Sequence, residues 1–139
     1  MNYLLDTCVI SEMIKSNPNR NVINWITSCQ ENSFYLSALT IGEIQKGISK
    51  LSESKRKNEL QSWIDNELRE RFLGKILDIN IEVAKVWGKI QGNSEKQGVT
   101  IPAIDSLIAA TGIFYGLIVV TRNIIDMENT GVSLLNPWK

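Results

Sequence analysis

The stretch that decides the fold is Leu117-Ile118-Val119-Val120-Thr121. Its residues are almost all aliphatic and β-branched, which is typical of a strand that is covered on both faces. Strands of this kind occur in parallel sheets with helices packed on each side. The stretch therefore predicts an α/β protein.

Four further short apolar runs extend the pattern along the chain. The other strand candidates are residues 3–5, 34–36, 76–79 and 133–135. Between them, apolar residues recur about every three or four positions, which indicates helices. Strands that alternate with helices predict a three-layer α/β/α sandwich with a mainly parallel central sheet. Ligands of such sheets bind beyond the carboxyl ends of the strands.

Several residues mark where the helices begin and end. Ser37 and Asn80 are suited to cap helices, and Pro102 is suited to the first turn of another. Gly116 is suited to end that last helix. The polar stretch 91–99 contains two glycines and is predicted to be a helix end followed by a loop.

Two helices are predicted to be amphipathic. Residues 54–72 carry many charges but place an apolar residue about once per helical turn, so one face of this helix packs on the core. The helix that follows Ser37 has its own apolar face. The residues expected on that face are Ile41, Ile44, Ile48 and Leu51.

Length and composition indicate one domain over residues 1–139, because this length is near the commonest domain size. The chain is 43% hydrophobic, and no apolar run approaches the roughly 20 residues that cross a bilayer, so no membrane is expected. The chain opens on a strand-like run rather than a secretory leader, which favours a cytoplasmic protein. Cys8 and Cys29 are expected to be buried free thiols, in keeping with a reducing compartment.

The charge balance and the absence of histidine limit the catalytic mechanisms that this chain can use. Lys and Arg together number 15, as do Asp and Glu, so a polyanion must be held by a local patch or by a metal ion. The sequence has no histidine, which excludes serine–histidine triads and imidazole-based ribonuclease chemistry. Most zinc hydrolases are excluded for the same reason. Oxygen ligands and a hard metal ion remain.

Four polar residues lie in or directly after apolar runs: Asp6, Glu43, Asp105 and Asn123. A parallel sheet brings its strand ends together, and three carboxylates gathered there repel one another unless a cation lies between them. Mg²⁺ or Mn²⁺ would relieve that repulsion. Local interpretations stay open for two of the acids, because Asp6 is also suited to cap a helix and Glu43 to complement a helix dipole.

The same stretches resemble the PIN-domain nucleases, and more narrowly the VapC-like toxins of toxin–antitoxin pairs, including the FitB-like branch. The resemblance covers essentially the whole chain in order. The matching stretches are Leu4-Leu5-Asp6-Thr7-Cys8-Val9-Ile10-Ser11-Glu12, residues 36–48 around Glu43, Ile104-Asp105-Ser106-Leu107-Ile108-Ala109-Ala110-Thr111, Val120-Thr121-Arg122-Asn123 and Asn136-Pro137-Trp138.

The resemblance implies a ribonuclease in which Asp6, Glu43 and Asp105 hold Mg²⁺ or Mn²⁺. Asn123 occupies a fourth position where many relatives carry aspartate, so the number of metal ions is open. Asp126 lies three residues further on and is a candidate to supply the missing charge. Metal-activated water would then attack an RNA phosphodiester, with Glu43 as a ligand or as the base that orients the nucleophile. Cys8 also departs from the family, since many relatives carry asparagine there.

Supporting residues are expected around the acids. Thr7, Ser106 and Thr121 are candidates to bond the carboxylates or a phosphate, although helix caps and local turn bonds explain each equally well. The candidates for RNA contact are Lys46, Lys50 and Arg122, against the alternative of a solvated charged face.

The resemblance also implies partners. These are a VapB-like antitoxin that inserts a segment near the pocket, a second copy of the chain in a homodimer, and promoter DNA bound by the toxin–antitoxin complex. Two other functions are considered. A receiver-like phosphate-accepting module needs an acidic pair after the first strand and a late lysine, whereas Asp6 stands alone and Arg122 is not lysine. A non-catalytic PIN-like binding module would be expected to lose its acids.

Overall fold

A computed structural model describes the whole chain, residues 1–139. Short strands alternate with helices along it. The strands are β1 (Tyr3–Leu5), β2 (Phe34–Ser37), β3 (Ile76–Leu77), β4 (Ile118–Val120) and β5 (Leu134–Leu135). The helices are α1 (Thr7–Met13), α2 (Arg20–Ser28), α3 (Ala38–Ser49), α4 (Lys55–Ser62), α5 (Arg69–Arg71), α6 (Ile81–Lys96), α7 (Ala103–Tyr115) and α8 (Ile124–Met127).

All five strands form one parallel sheet in the order β3-β2-β1-β4-β5. In the central pair, Tyr3 lies opposite Ile118 and Leu5 opposite Val120. The carboxyl ends of β1 and β4 therefore lie side by side. The predicted α/β fold with a parallel central sheet is confirmed.

Two hydrophobic cores lie on opposite faces of the sheet. Leu5 and Val120 belong to the larger core, with buried residues of α1, α2 and α3, while Leu4 and Val119 belong to the smaller core with buried residues of α7. Consecutive residues of one strand point to opposite faces, so the same two strands contribute to both cores. The sheet is thus covered on both sides, as the aliphatic sequence of β4 predicts.

The segment after β3 differs from the prediction in one place. Residues 91–96, expected to be a helix end and a loop, belong to α6, which continues to Lys96. Packing against α7 holds this polar turn in the helix, because Gln91 bonds to α7 and Ser94 is buried. The predicted caps are confirmed, since Asn80 Oδ1 accepts a hydrogen bond from Val83 N at 2.9 Å and Gly116 ends α7 with φ of 66°.

The two predicted amphipathic faces are confirmed with one exception. Ile44 and Ile48 of α3 are buried, but Leu51 lies beyond the end of α3 and is 42% exposed, because the helix stops at Ser49. The charged segment is helical from Lys55 to Arg71, with a π-helical turn from Trp63 to Leu68 between α4 and α5.

The cysteines and the helix lengths complete the comparison. Cys8 and Cys29 are free thiols as expected, but they are half-buried rather than buried. Both lie at the edges of the larger core and not inside it. None of the helices is long and apolar enough to span a membrane.

Candidate active site

Asp6 lies at the point where β1 ends and α1 begins. Its backbone N–H donates to Val120 O at 3.0 Å, which extends the pairing of β1 with β4 by one residue. Its side chain caps α1 by accepting from Thr7 N at 2.8 Å, and its other oxygen accepts from Thr121 Oγ1 at 2.8 Å. Asp6 is only 4% exposed. One buried carboxylate therefore both caps α1 and joins α1 to the end of β4.

A second link joins α1 to α3. Thr7 Oγ1 donates to Glu43 Oε1 at 2.5 Å, across 36 residues of sequence. Glu43 is half-buried on α3, whose start directly after β2 is capped by Ser37 Oγ accepting from Leu39 N at 3.0 Å. The helix that carries Glu43 is therefore fixed to the sheet end next to Asp6.

Thr121 connects the end of β4 to Asp6. Its hydroxyl is fully buried, donates to Asp6 and accepts from Asn123 N at 2.9 Å. Cys8 Sγ lies 3.7 Å from the same hydroxyl and 4.0 Å from Asp6 Oδ2. Thr7 and Thr121 thus bond to carboxylates, which is one of the two roles that the sequence left open for them.

Asp105 stands apart in its surroundings. It lies in the first turn of α7, is half-buried, and accepts no hydrogen bond from the protein. Burial raises its pKa to about 6, and the negative charges of Asp6, Asp126 and Glu43 add to the rise. These four acids therefore share one region, although they come from the end of β1 and from α3, α7 and α8.

The pKa of Asp6 is raised for a related reason. Burial is the largest cause, while the hydrogen bonds from Thr121 and from Thr7 N oppose it and the charge of Glu43 raises it further. Burial also raises the pKa of the Cys8 thiol. The thiol is therefore a neutral neighbour of Asp6 and not a thiolate ligand.

The remaining predicted residues lie around this region with fewer bonds. Asn123 begins α8 without a side-chain cap bond, and its side chain makes no hydrogen bond to the protein. Asp126 is exposed on α8. Arg122 is exposed and lies over the ring of Trp138 at 4.7 Å, and its guanidinium makes no ion pair or hydrogen bond. Lys46 and Lys50 are exposed at the end of α3.

Ser106 makes the local helix bonds that its sequence left open as the alternative, and no hydrogen bond to a carboxylate. Its hydroxyl is fully buried. Trp87 Nε1 donates to it at 3.0 Å and Gln91 Nε2 at 2.7 Å, both from α6. Neighbouring positions on a helix differ by about 100° in direction, so Ser106 faces α6 while Asp105 faces the other acids.

A buried glutamate was not predicted. Glu12 is 4% exposed, and it accepts from Lys15 Nζ at 2.9 Å and from Asn19 N at 2.8 Å. It ties the loop after α1 to the start of α2. Its position two turns from Asp6 on a mostly apolar helix was the available signal, but that pattern equally fits an exposed acid.

The acids form a suitable donor set for a hard divalent ion but not a closed cage. They are near enough for their charges to raise the pKa of Asp105, yet no three Asp, Glu or Cys side chains are close enough to bind one ion together directly. Mg²⁺ normally keeps several water ligands and takes only one or two carboxylates directly. The arrangement therefore fits a hydrated ion with direct and water-mediated contacts.

The chain is similar to known proteins over nearly its whole length. A family model of the PIN domain matches residues 3–130. Toxin FitB of Neisseria gonorrhoeae is 36% identical over 135 residues, covering 97% of each chain. VapC ribonuclease Y4jK of Sinorhizobium fredii is 31% identical over 136 residues, covering 98% of this chain and 97% of the relative.

A solved structure, described as FitAB bound to an IR36 DNA fragment, has the same fold. It matches with a TM-score of 0.93 at 34% identity and covers 99% of this chain and 96% of that one. This chain belongs to the PIN-domain family. Within the family its similarity is to proteins named VapC ribonuclease and FitB toxin, as the resemblance of its motifs implied.

Proposed function

We propose that this PIN protein is a Mg²⁺- or Mn²⁺-dependent endoribonuclease toxin that a cognate antitoxin restrains. The observation that carries the proposal is the meeting of Asp6, Glu43 and Asp105, from distant parts of the sequence, at one end of the parallel sheet. Buried carboxylates are normally paired with a cation or a hydrogen-bond donor, whereas the half-buried Asp105 accepts no hydrogen bond and the charges that shift its pKa are those of other acids. The relatives named ribonuclease and toxin support the same activity.

Asp6 and Asp105 would hold the cation, with Glu43 as a third contact, direct or through water. When bound, a divalent ion supplies an activated water and stabilises negative charge at the reacting phosphate. Thr121 keeps Asp6 oriented and favours its ionised form, because its hydrogen bond lowers the pKa against the effect of burial. Thr7 holds the Glu43 carboxylate where it can accept a proton from an attacking water.

The fourth acidic position of many relatives is neutral here. Asn123 provides an amide oxygen instead of a charge. Asp126, three residues further along the chain, contributes negative potential at Asp105. We therefore propose that Asp126 supplies part of the charge that Asn123 lacks. A second ion bound here would have one fewer direct anionic ligand than in relatives that carry aspartate at the position of Asn123.

Arg122 is the first candidate for RNA contact. Its guanidinium rests on Trp138 and has no ion pair, although acids lie nearby, so its N–H groups are free to bond a phosphate. Lys46 lies on the helix that carries Glu43 and Lys50 directly follows it, and both would add positive potential along the path of the RNA. The chain has no excess of positive charge, so these local cations and the metal must bind the backbone.

The partners follow from the same assignment. A VapB-like antitoxin would cover the acidic region, and the FitAB complex on a DNA fragment supports a toxin–antitoxin assembly that binds DNA. We propose that this DNA is the promoter of the pair. A homodimer of the toxin is proposed from the family resemblance. Because the proposed substrate is cellular RNA, we propose a cytoplasmic location.

Cleavage of total cellular RNA by the purified protein tests this function. With Mg²⁺ or Mn²⁺ we expect discrete products whose ends map to defined sites, and EDTA should abolish them. Asp105→Asn keeps the side-chain shape but removes the charge, so it should reduce cleavage at least a hundredfold while the far-ultraviolet circular dichroism stays unchanged. Full activity of Asp105→Asn would exclude the assigned site.

A Mn²⁺ titration of the same samples separates the alternative of a non-catalytic module. Neither cleavage nor Mn²⁺ binding would favour a PIN-like protein that only binds nucleic acid or another protein. Mn²⁺ binding without cleavage would direct the search to a specific RNA substrate that total RNA presents poorly.

A further inference from the structure

A network of hydrogen bonds around the buried hydroxyl of Ser106 joins α6 to the first turn of α7. Gln91 Nε2 donates to Ile101 O at 3.1 Å and to Ser106 Oγ at 2.7 Å, so both of its N–H groups are used. Trp87 Nε1 donates to the same hydroxyl at 3.0 Å. Ser106 Oγ in turn lies 3.0 Å from Pro102 O and 2.9 Å from Ala103 O, and donates its single proton there.

These bonds hold the chain on both sides of Asp105, whose carboxylate has no hydrogen bond of its own. Asp105 lies between Ala103 and Ser106 in sequence, and no protein donor reaches its carboxylate. The start of α7 also lacks the usual side-chain cap, because Pro102 occupies the N-cap position. The direction of Asp105 is therefore set by its backbone, and the backbone is held from α6.

The other two acids do not depend on α6. Two hydrogen bonds fix Asp6 and one fixes Glu43, all of them donated from α1 or from the residue after β4. Loss of the α6 network would therefore move one of the three acids and leave the other two in place. Removal of a direct hydrogen-bond partner of a metal ligand commonly lowers metal affinity by about 10- to 100-fold, and the α6 network acts one step further from Asp105, through the backbone.

We propose that Gln91 is a positioning residue for Asp105, acting with Trp87 through Ser106 and the Ile101 carbonyl. The inference rests on the proposed function, because it concerns how the same acidic site is held. Gln91 touches neither RNA nor the metal ion in this role. It fixes the first turn of α7 so that Asp105 faces Asp6 and Glu43.

The test compares Gln91→Leu with Ser94→Ala. Gln91→Leu keeps the side-chain size but removes both donors. Ser94→Ala removes the buried bond from Ser94 Oγ to Val99 O, on the same helix and the same connection, but leaves the Ile101–Ser106 turn intact. Trp87→Phe is the second variant, because it removes only the indole N–H and keeps an aromatic ring. Calorimetric Mn²⁺ titration and urea unfolding are measured for all variants and the natural chain.

We expect Gln91→Leu to raise the Mn²⁺ dissociation constant about tenfold and Trp87→Phe to raise it by a smaller factor. The Mn²⁺ dissociation constant of Ser94→Ala should stay within about twofold of that of the natural chain. Its free energy of unfolding should nevertheless fall about as much as that of Gln91→Leu. The Mn²⁺ concentration for half-maximal RNA cleavage should follow the same order, and saturating Mn²⁺ should restore much of the rate in Gln91→Leu.

Two results would overturn the inference in distinguishable ways. If the natural chain binds Mn²⁺ and cleaves RNA, and both Gln91→Leu and Trp87→Phe bind Mn²⁺ as Ser94→Ala does, the network is only structural and the proposed function stands. If the natural chain neither binds Mn²⁺ nor cleaves RNA, the proposed function and this inference fail together.

Discussion

Single hydroxyl groups decide how the acids of this site are held. Thr7 and Thr121 each donate to a carboxylate, and Thr121 also accepts the backbone N–H of Asn123. A buried carboxylate without donors is costly, since its charge has lost the solvation of water. These two threonines offset part of that cost where α1 and β4 meet.

Thr121→Val tests this role at the scale of one residue. The substitution keeps the shape but removes the bond to Asp6, so we expect the free energy of unfolding to fall by about 2 kcal/mol. The pKa of Asp6 should rise further, because the lost bond opposes the effect of burial. Mn²⁺ affinity should fall as well. Urea unfolding and calorimetric titration measure the two effects.

Thr111→Val is the matched control. Thr111 is also fully buried, but its hydroxyl donates only to Leu107 O at 2.8 Å within α7. The control should leave Mn²⁺ affinity unchanged. Equal Mn²⁺ affinities of the two valine variants would show that Thr121 does not orient Asp6.

At the scale of elements, the packing of α7 on β4 sets the position of the helix that carries Asp105. Gly112 of α7 approaches the sheet so closely that an added Cβ would lie 2.7 Å from Val119 Cγ2 and 2.9 Å from Val132 Cγ2. Leu117 N also donates to Gly112 O at 2.8 Å, which closes the turn between α7 and β4. The absence of a side chain at residue 112 is thus a requirement of the helix–sheet contact.

Gly112→Ala should therefore destabilise the protein in spite of the better helix propensity of alanine. Overpacking costs about 1–3 kcal/mol, and the propensity gain of up to about 1 kcal/mol offsets only part of it. Gly92→Ala is the control, because no atom lies within 4 Å of its added Cβ in α6, and it should stabilise by about 0.5–1 kcal/mol. Thermal unfolding of both variants measures these changes in stability. If Gly112→Ala is more stable than the natural chain, the close contact between α7 and the sheet is contradicted.

At the scale of the whole molecule, gathering four acids at one sheet end costs stability. The folded protein holds Asp105 with a pKa of about 6, above its ordinary value of 3.8, so it binds that proton more tightly than the unfolded chain does. The resulting contribution to stability is complete below about pH 4 and is lost as the pH rises through about 6. The site is therefore under electrostatic strain at neutral pH unless a cation is bound.

Asp105→Asn should remove this strain. In EDTA, the free energy of unfolding of the variant relative to the natural chain should rise by about 1 kcal/mol between pH 4 and pH 7.5, after allowing for solvent screening of a half-exposed carboxylate. Urea unfolding across this pH range measures the difference, with Asp65→Asn as a control in the exposed helical segment. A difference that does not change with pH would mean that neither burial nor the other acids raise the pKa of Asp105 in the folded protein.

The sequence by itself determined the α/β class, the alternation of strands and helices, and the acids that mark the site. Buried strands, caps and polar residues at strand ends are local features, and local physics restricts them. It did not determine the length of α6, because residues 91–96 are polar and contain glycine, and only packing against α7 keeps them helical.

Only the tertiary structure decided which way each polar side chain faces. Ser106 and Asp105 are neighbours with similar local sequence signals, yet one bonds to α6 and the other faces the acids. Thr121 reaches Asp6 across 115 residues, and Gln91 reaches Ser106 from another helix. Such contacts depend on the order of strands and the rotation of helices about their axes, and these are properties of the folded chain as a whole.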